Sequence, residues 1–399
     1  MKMKKYSLIL LCMLLIIFTV ACSSEKTSSG DKATASGDKG PIKIGASLSL
    51  TGGFGFAGES MQKTMNLLVE QTNKDGGING RQLEIVYTDD ENIPENSVRN
   101  VTKLIQKEDL KIIIGPNSTA TSKAVEPLAL SNKAIMFSLS GAYVGPPNSY
   151  AFSSSYGQSI MHDLIHEWAL SKGYKKVGMV ATNDASGDLS VGLVKKLDGK
   201  DGVKYLIERM GVQDVDVTPQ LTKLNSEGIE ALVVIGPGVA AGVTIKGSGK
   251  LNPELPIIAT HSQLSDTFAK SIREFIPDNM YITGPPVMAS DELSDSNPMK
   301  EKLIKFVDEY NKKYGENPDY LGAIGYDSLS LIIEGLKAVG DDSAKMKDFL
   351  ENDVKDFQGV HATFNLTPED HRGTSSEGVV LLKLNKDLSW GIAWDPSSK

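Results

Sequence analysis

Ile112–Ala142 reads IIIGPNSTATSKAVEPLALSNKAIMFSLSGA, and its reading decides the fold. Ile112, Ile113 and Ile114 are β-branched and uninterrupted, as in a parallel strand buried on both faces. Gly115 and Pro116 end that strand. Asn117, Ser118 and Thr119 stand where a helix begins, and any of the three can cap it. Ala120, Ala124, Val125 and Leu128 give the helix small and apolar positions. A second strand, Ile135 to Phe137, opens into Ser138, Leu139, Ser140, Gly141 and Ala142. Two strands therefore end in loops of Ser, Thr and Gly. In an open α/β sheet, ligands bind beyond the carboxyl ends of the strands. Free N–H groups at a helix start, positive potential and hydroxyl donors suit a small anion, most simply a carboxylate. A plain capped βα turn would leave the same residues.

Outward from this stretch the pattern repeats. Ile42 to Leu50 is a strand, followed by the loop Thr51 to Gly58 (TGGFGFAG) and a helix from Glu59 to about Lys74 with Met61, Met65, Leu68 and Val69 on one stripe. Leu83 to Tyr87 is a second strand ending in Thr88, Asp89 and Asp90. Pro94 suits the first turn of the next helix. A second series follows: helix Ile160 to Leu170, strand Lys176 to Ala181, loop Thr182 to Asp188, then strands Ala231 to Ile235, Pro256 to Thr260 and Met280 to Thr283. Helices run from about Pro298 to Tyr314, Tyr320 to Val339 and Ser343 to Glu351. Strands near Val360 to Asn365 and Val379 to Leu384 close the chain. Strands alternating with helices mean βαβ units and mostly parallel sheets.

The chain has 399 residues, which suggests about two domains. It is 40% hydrophobic and 23% charged, a globular composition, and its net charge is −8. An acidic chain without basic clusters interleaved with aromatics argues against nucleic acid. Lys2, Lys4 and Lys5 precede the apolar run Ser7 to Phe18, which is short of the about 20 residues that span a membrane. It fits a signal-peptide core, and Thr19, Val20, Ala21 and Cys22 resemble a bacterial lipobox with Thr19 where Leu is usual. Residues 1–21 are thus expected to be removed, leaving Cys22 lipidated. Residues 22–40 form a tether without an apolar side chain larger than Ala. Cys12 and Cys22 being the two cysteines, the mature domain carries no disulfide.

Other motifs weigh little. Gly53, Gly55 and Gly58 spell G-x-G-x-x-G after a strand, the dinucleotide fingerprint. The acid that should end the second strand about 20 residues on stands too far away, at Asp89. Gly242 to Ser248 lacks the Lys of a P-loop. His162 and His166 lie four apart on a helix and could share a metal, but they read better as polar residues on a solvated face. Asp89 and Asp90 read as a solvated strand end and turn cap. No nucleophile motif is present, so no enzyme and no cofactor is expected.

Five segments carry a resemblance: IKIGASLSLTGGFGFAGES, NKDGGINGRQLEIVYTDDEN, IIIGPNSTATSKAVEPLA, DVTPQLTKLNSEGIEALVVIG and YLGAIGYDSLSLIIEGL. In this order they resemble the type I periplasmic binding proteins, in the leucine/isoleucine/valine-binding branch that serves ABC importers. The resemblance implies an α/β fold of two doubly wound parallel-sheet lobes joined by a three-crossing hinge. The lobes would comprise 41–153 plus 286–365 and 154–285 plus 366–399, with crossings near Phe152 to Ser155, Tyr281 to Pro286 and Asn365 to Pro368. It implies a monomer on the outer face of the cell membrane, passing a small carboxylated solute to an ABC permease. A ligand-sensing receptor domain is the alternative on the same fold, and a dinucleotide enzyme a more distant one. Carried over residue by residue, the ligand contacts would be Ser118 with Asn117 and Thr119, then Ser140, Gly141 and Ala142. Phe56 or Ala57, with Phe54 near, would lie over the ligand. Ser186, Gly238 and His261 or Ser262 would come from the second lobe. Amino-acid binders place a carboxylate where this chain has His261, Ser262 and Gln263, and often an aromatic at Ser186. The solute is therefore open between an amino acid and another organic or aromatic acid.

Overall fold

Continuous apolar strands make the first sheet. In a computed structural model describing residues 40–293, 295, 297 and 299–396, β1 (Ile42–Leu48), β2 (Leu83–Asp89), β3 (Ile112–Ile114), β4 (Ile135–Ser138) and β5 (Ala151–Ser153) are all parallel, in the order β2-β1-β3-β4-β5. Ile112–Ile114 and Ile135–Ser138 are buried throughout, as strands covered on both faces must be. The helices that belong with this sheet are α1 (Gly55–Lys74), α2 (Pro94–Gln106) and α3 (Thr119–Ser131).

The second sheet holds β6 (Lys176–Thr182), β7 (Lys204–Met210), β8 (Ala231–Ile235), β9 (Ile257–Ala259) and β10 (Met280–Gly284). Helices α4 (Gln158–Ser171), α5 (Ala185–Leu197), α6 (Thr218–Ser226), α7 (Gly238–Leu251) and α8 (Asp266–Ser271) alternate with them. After α9 (Lys300–Tyr314), α10 (Tyr320–Val339) packs on α1, followed by α11 (Ser343–Asn352). Gly325 permits this approach, because a Cβ there would lie 3.0 Å from Met61 O. A short hairpin, β11 (Phe357–Gln358) and β12 (Thr363–Phe364), leads to β13 (Val380–Leu384) and β14 (Trp390–Trp394). These last two join the second sheet antiparallel, giving the order β14-β13-β10-β9-β8-β6-β7. The chain is α/β, with two largely parallel sheets.

The chain leaves the first sheet after Ser153, leaves the second after Gly284, and returns to it between Phe364 and Val380. The first and last of these passages are bonded together. Ser153 N–H donates to His371 O, and His371 Nδ1 donates to Ala151 O, both at 2.9 Å. His361 Nε2 donates to Ser154 O at 2.9 Å. The His371 ring stacks on Phe152 at 4.1 Å.

The sequence reading missed β5, β7 and β14. It also started α1 at Glu59, whereas the helix begins at Gly55 behind a short 3-10 turn at Gly52–Phe54. Glycines argue against a helix start, yet packing demands them here. A Cβ on Gly58 would lie 2.1 Å from Ser49 O, so α1 rests directly on the end of β1. The signal peptide, Cys22 and all but the last residue of the tether lie outside the described residues.

Candidate functional site

The carboxyl ends of both sheets face a cavity of about 300 Å³. Its first wall comes from the loops after β3 and β4. Ser118 caps α3, its Oγ accepting from Thr121 N–H at 3.4 Å and lying 2.8 Å from Thr121 Oγ1. Thr119 Oγ1 and Ser140 Oγ are 2.8 Å apart, which ties the two loops together. Asn117 Oδ1 accepts from Ser49 N–H at 3.0 Å, so its Nδ2 turns away from Ser49 and has no protein partner. Gly115 precedes them at φ +95°, where a Cβ would stand 2.2 Å from Ser47 O. Only glycine can make that turn against β1.

The opposing wall comes from the second sheet. Asp184 caps α5 by accepting from Gly187 N–H at 2.8 Å. Gln158 Nε2 donates to Ser186 Oγ at 2.6 Å, and Ser190 Oγ donates to Gln158 Oε1 at 2.9 Å, joining α4 to α5. Gly236, Pro237, Thr260, His261 and Ser262 complete this side, and Phe54, Leu139, Tyr320, Leu321 and Ile324 supply apolar surface. Tyr320 holds the floor: its hydroxyl lies 3.0 Å from Ser155 Oγ, and burial pushes its phenol up to about 12. His261 is packed edge-on to that ring at 5.2 Å. Burial, and next the charge of Arg372, push its imidazole down to about 3, so it is neutral at physiological pH.

Of the residues singled out from sequence, Asn117, Ser118, Thr119, Ser140, Gly141, Ala142, Ser186, His261 and Ser262 all line this cavity. Three do not. Because α1 starts a turn early, Ala57 points into the core with no exposure. Phe56 faces a different depression beside Lys63 and Asp319, and the aromatic on the cavity is Phe54. Gly238 is already inside α7, leaving Gly236 and Pro237 at the wall. Gln158, Ser155, Asp184 and Tyr320 escaped the reading. Tyr320 opens the segment YLGAIGYDS, and an aromatic at a helix start facing strand ends was its one local signal.

Other expectations change with the geometry. His162 and His166 are not on a solvated face; they are 2% and 3% exposed. α4 turns that face inward, and His166 Nδ1 lies 3.0 Å from Tyr205 Oη. Burial pushes His162 down to about 4. Among the described residues no group of three His, Cys, Asp or Glu is placed to hold a metal. Asp90 is wholly buried rather than solvated, taking Ser49 Oγ–H at 2.7 Å and Asn92 N–H at 2.9 Å. Asp89 binds Leu50 N–H at 2.9 Å and Thr51 Oγ–H at 2.6 Å, so the acid ending β2 is spent on the loop that a dinucleotide would need. The wall has no Lys or Arg among its described residues, but Arg372 stands directly behind it: Nη2 donates to Gly141 O at 3.0 Å. The wall also carries one carboxylate, Asp184, where the sequence had shown none to pair an ammonium.

Chemically, such a cavity offers hydroxyl and amide donors at a helix start, a neutral imidazole and an apolar floor. It can hold a small polar-ended molecule. Residues 41–387 match the family described as periplasmic binding protein. The chain is similar to a Leu/Ile/Val-binding protein homolog 2 of Brucella abortus (strain 2308), 21% identical over 307 residues, covering 75% of this chain and 79% of that protein. Among solved structures it resembles the branched-chain amino acid transporter substrate binding protein LivJ of Streptococcus pneumoniae, bound to isoleucine. That match has a TM-score of 0.74 and 22% identity, over 89% of this chain and 100% of the other. It also resembles a solute binding protein of an ABC transporter from Rhodopseudomonas palustris BisB5 bound to 3,4-dihydroxy benzoic acid, with a TM-score of 0.70 and 19% identity, over 90% and 99%.

Proposed function

Because the chain belongs to the periplasmic binding protein family, a family of extracytoplasmic binding proteins rather than enzymes, we propose that it delivers a small carboxylated solute to an ABC importer. The solute is a branched-chain or other amino acid, or an aromatic or other organic acid. The observation that carries this reading is the wall at the start of α3, where Ser118 and the Thr119–Ser140 pair stand at the first turn of the helix on a cavity of about 300 Å³. Isoleucine and 3,4-dihydroxy benzoic acid, the ligands of the two similar structures, both carry a carboxylate.

Hydrogen bonds to a charged group are worth about 1.5–3 kcal/mol each. Converting the carboxylate of a bound acid to its methyl ester should therefore weaken binding by at least about 2 kcal/mol, about thirtyfold. A thermal-shift screen of amino acids, aromatic acids and short dicarboxylates supplies the acid, and calorimetry compares it with its ester. Equal affinities would sink the reading.

Two further parts belong to this proposal. The lobes 41–153 plus 286–365 and 154–285 plus 366–399 close on the solute, because a ligand touching both walls favours the closed state by its differential affinity. Small-angle scattering should show a smaller radius of gyration at saturation. Cys22 carries the lipid that anchors the chain on the outer face of the membrane, since two acyl chains hold where one does not. Cys22→Ala should release the protein or leave it unprocessed, and a processed, membrane-bound variant would contradict the anchor.

A further inference from the structure

His261 lines the cavity, its ring against Tyr320. It is 6% exposed. Its Nδ1 is buried without a hydrogen-bond partner. Nε2 stands against the opposite wall, 2.9 Å from where a Cβ on Gly141 would be. Leaving a buried polar group unsatisfied is costly, and Nε2, on the Gly141 side of the ring, is the nitrogen that an entering oxygen would meet.

Behind the same loop is a cation with little to offset it. Arg372 Nη2 donates to Gly141 O at 3.0 Å and also to Tyr143 O, and Nε donates to Ser153 Oγ at 3.2 Å. All three acceptors are neutral. Asp370 opposes its charge only from a distance, its Oδ1 taking the backbone N–H groups of Arg372 and Gly373 at 3.0 and 3.2 Å. The guanidinium field reaches His261, where with burial it disfavours a positive charge.

We propose that His261, backed by Arg372, sets specificity by accepting a hydroxyl, oxo or carboxylate oxygen as the ligand's second polar group and rejecting an ammonium. The inference rests on the carboxylate reading of the cleft and names the class of acid within it. A neutral imidazole offers one donor and one acceptor, which match a hydroxyl or a carbonyl oxygen. An ammonium would bring its charge into the field of Arg372 and find a single nitrogen acceptor. Among the described residues of the wall Asp184 is the one carboxylate, and it is engaged with the start of α5, whose dipole offsets its charge.

Matched ligands test this: leucine against its α-oxo and α-hydroxy acids, and phenylalanine against phenylpyruvate and phenyllactate. Calorimetry at pH 7 would use the wild type, His261→Glu, His261→Gln and Asp184→Asn. In the wild type an oxo or hydroxy acid should bind at least about tenfold more tightly than its amino acid. His261→Glu should reverse that order, since its carboxylate pairs an ammonium. His261→Gln, neutral and able to donate and accept, should keep the wild-type order. An amino acid that binds most tightly to the wild type and loses about tenfold in Asp184→Asn overturns the proposal while leaving the carboxylate reading intact. So does an unchanged order in a folded His261→Glu. No binding by any of the six acids at millimolar concentration overturns it as well. A methyl ester that binds as well as its acid removes the carboxylate reading itself.

Discussion

Ser49 N–H donates to Asn117 Oδ1 at 3.0 Å across two loops that are far apart in sequence. The bond fixes the amide of Asn117 and joins the end of β1 to the turn after β3. Asn117→Ala would leave Ser49 N–H buried without its acceptor. That should cost about 1–3 kcal/mol of unfolding free energy. Urea unfolding of the two proteins reads the difference, and equal midpoints would show that the two loops hold together without this bond.

Gly58 should tolerate nothing larger. A Cβ there meets Ser49 O at 2.1 Å, and both partners are backbone. Overpacking a tight contact usually costs about 1–3 kcal/mol, and a helix–strand contact without a flexible side chain belongs at the upper end. Gly58→Ala should lose at least about 2 kcal/mol of stability. Gly53→Ala, which meets nothing within 4 Å, should cost far less. The reverse order would return the glycines to a ligand-binding role.

Ser118→Ala separates a hydroxyl from a helix end. The variant removes a cap worth about 1 kcal/mol of stability, but keeps the backbone N–H groups of α3. Its affinity loss for a bound acid should therefore be smaller than the loss on esterifying that acid. Calorimetry on the same acid gives both quantities, and a larger loss from Ser118→Ala would place the anion on the hydroxyl instead.

Acid should destabilise the fold through His162. Burial holds its imidazole at about 4, below the 6.5 of a free histidine. The unfolded chain takes up a proton that the folded chain refuses, so this contribution is full above about 6.5 and is lost as pH falls toward 4. At about 1.36 kcal/mol for each pH unit, the loss is on the order of 3 kcal/mol. Asp319 works in the opposite sense. Burial raises its carboxyl to about 6, so its contribution is full below the unfolded value of 3.8 and is lost as pH rises through 6. Comparing His162→Leu with the wild type isolates the histidine: the variant's stability should fall less between pH 7 and pH 4. Parallel acid limbs in urea unfolding would count against a neutral buried His162.

Most strands were legible because unbroken runs such as Ile112–Ile114 and Ala231–Ile235 can hardly be anything but buried parallel strands. The wall from Asn117 to Ala142 was legible because it is local, lying within one βαβ unit. The remainder of the site was not. Tyr320 and Arg372 reach the cavity region only through α10 and the last passage between sheets, and nothing near them in sequence advertises that. The buried face of α4 was misread because its histidines look polar, while burial leaves His162 neutral. The start of α1 was misread because helix propensity counts glycine as a penalty and cannot register the close approach to Ser49 O that requires it.

The second sheet is finished by the last strands of the chain. β13 sits between β10 and β14, and Leu381, Leu382 and Leu384 are fully buried there. Until Val380–Leu384 has emerged, β10 keeps an open edge and that half of the molecule lacks its closing layer. A polypeptide delivered across a membrane with its N-terminus leading would thus complete the first sheet's strands early and the second sheet only at the end of translocation. A cut before residue 380 should yield a sticky, aggregation-prone fragment rather than a smaller binding protein. The residues that line the cavity all precede Val380, so these last strands complete the sheet behind the site and add nothing to its wall.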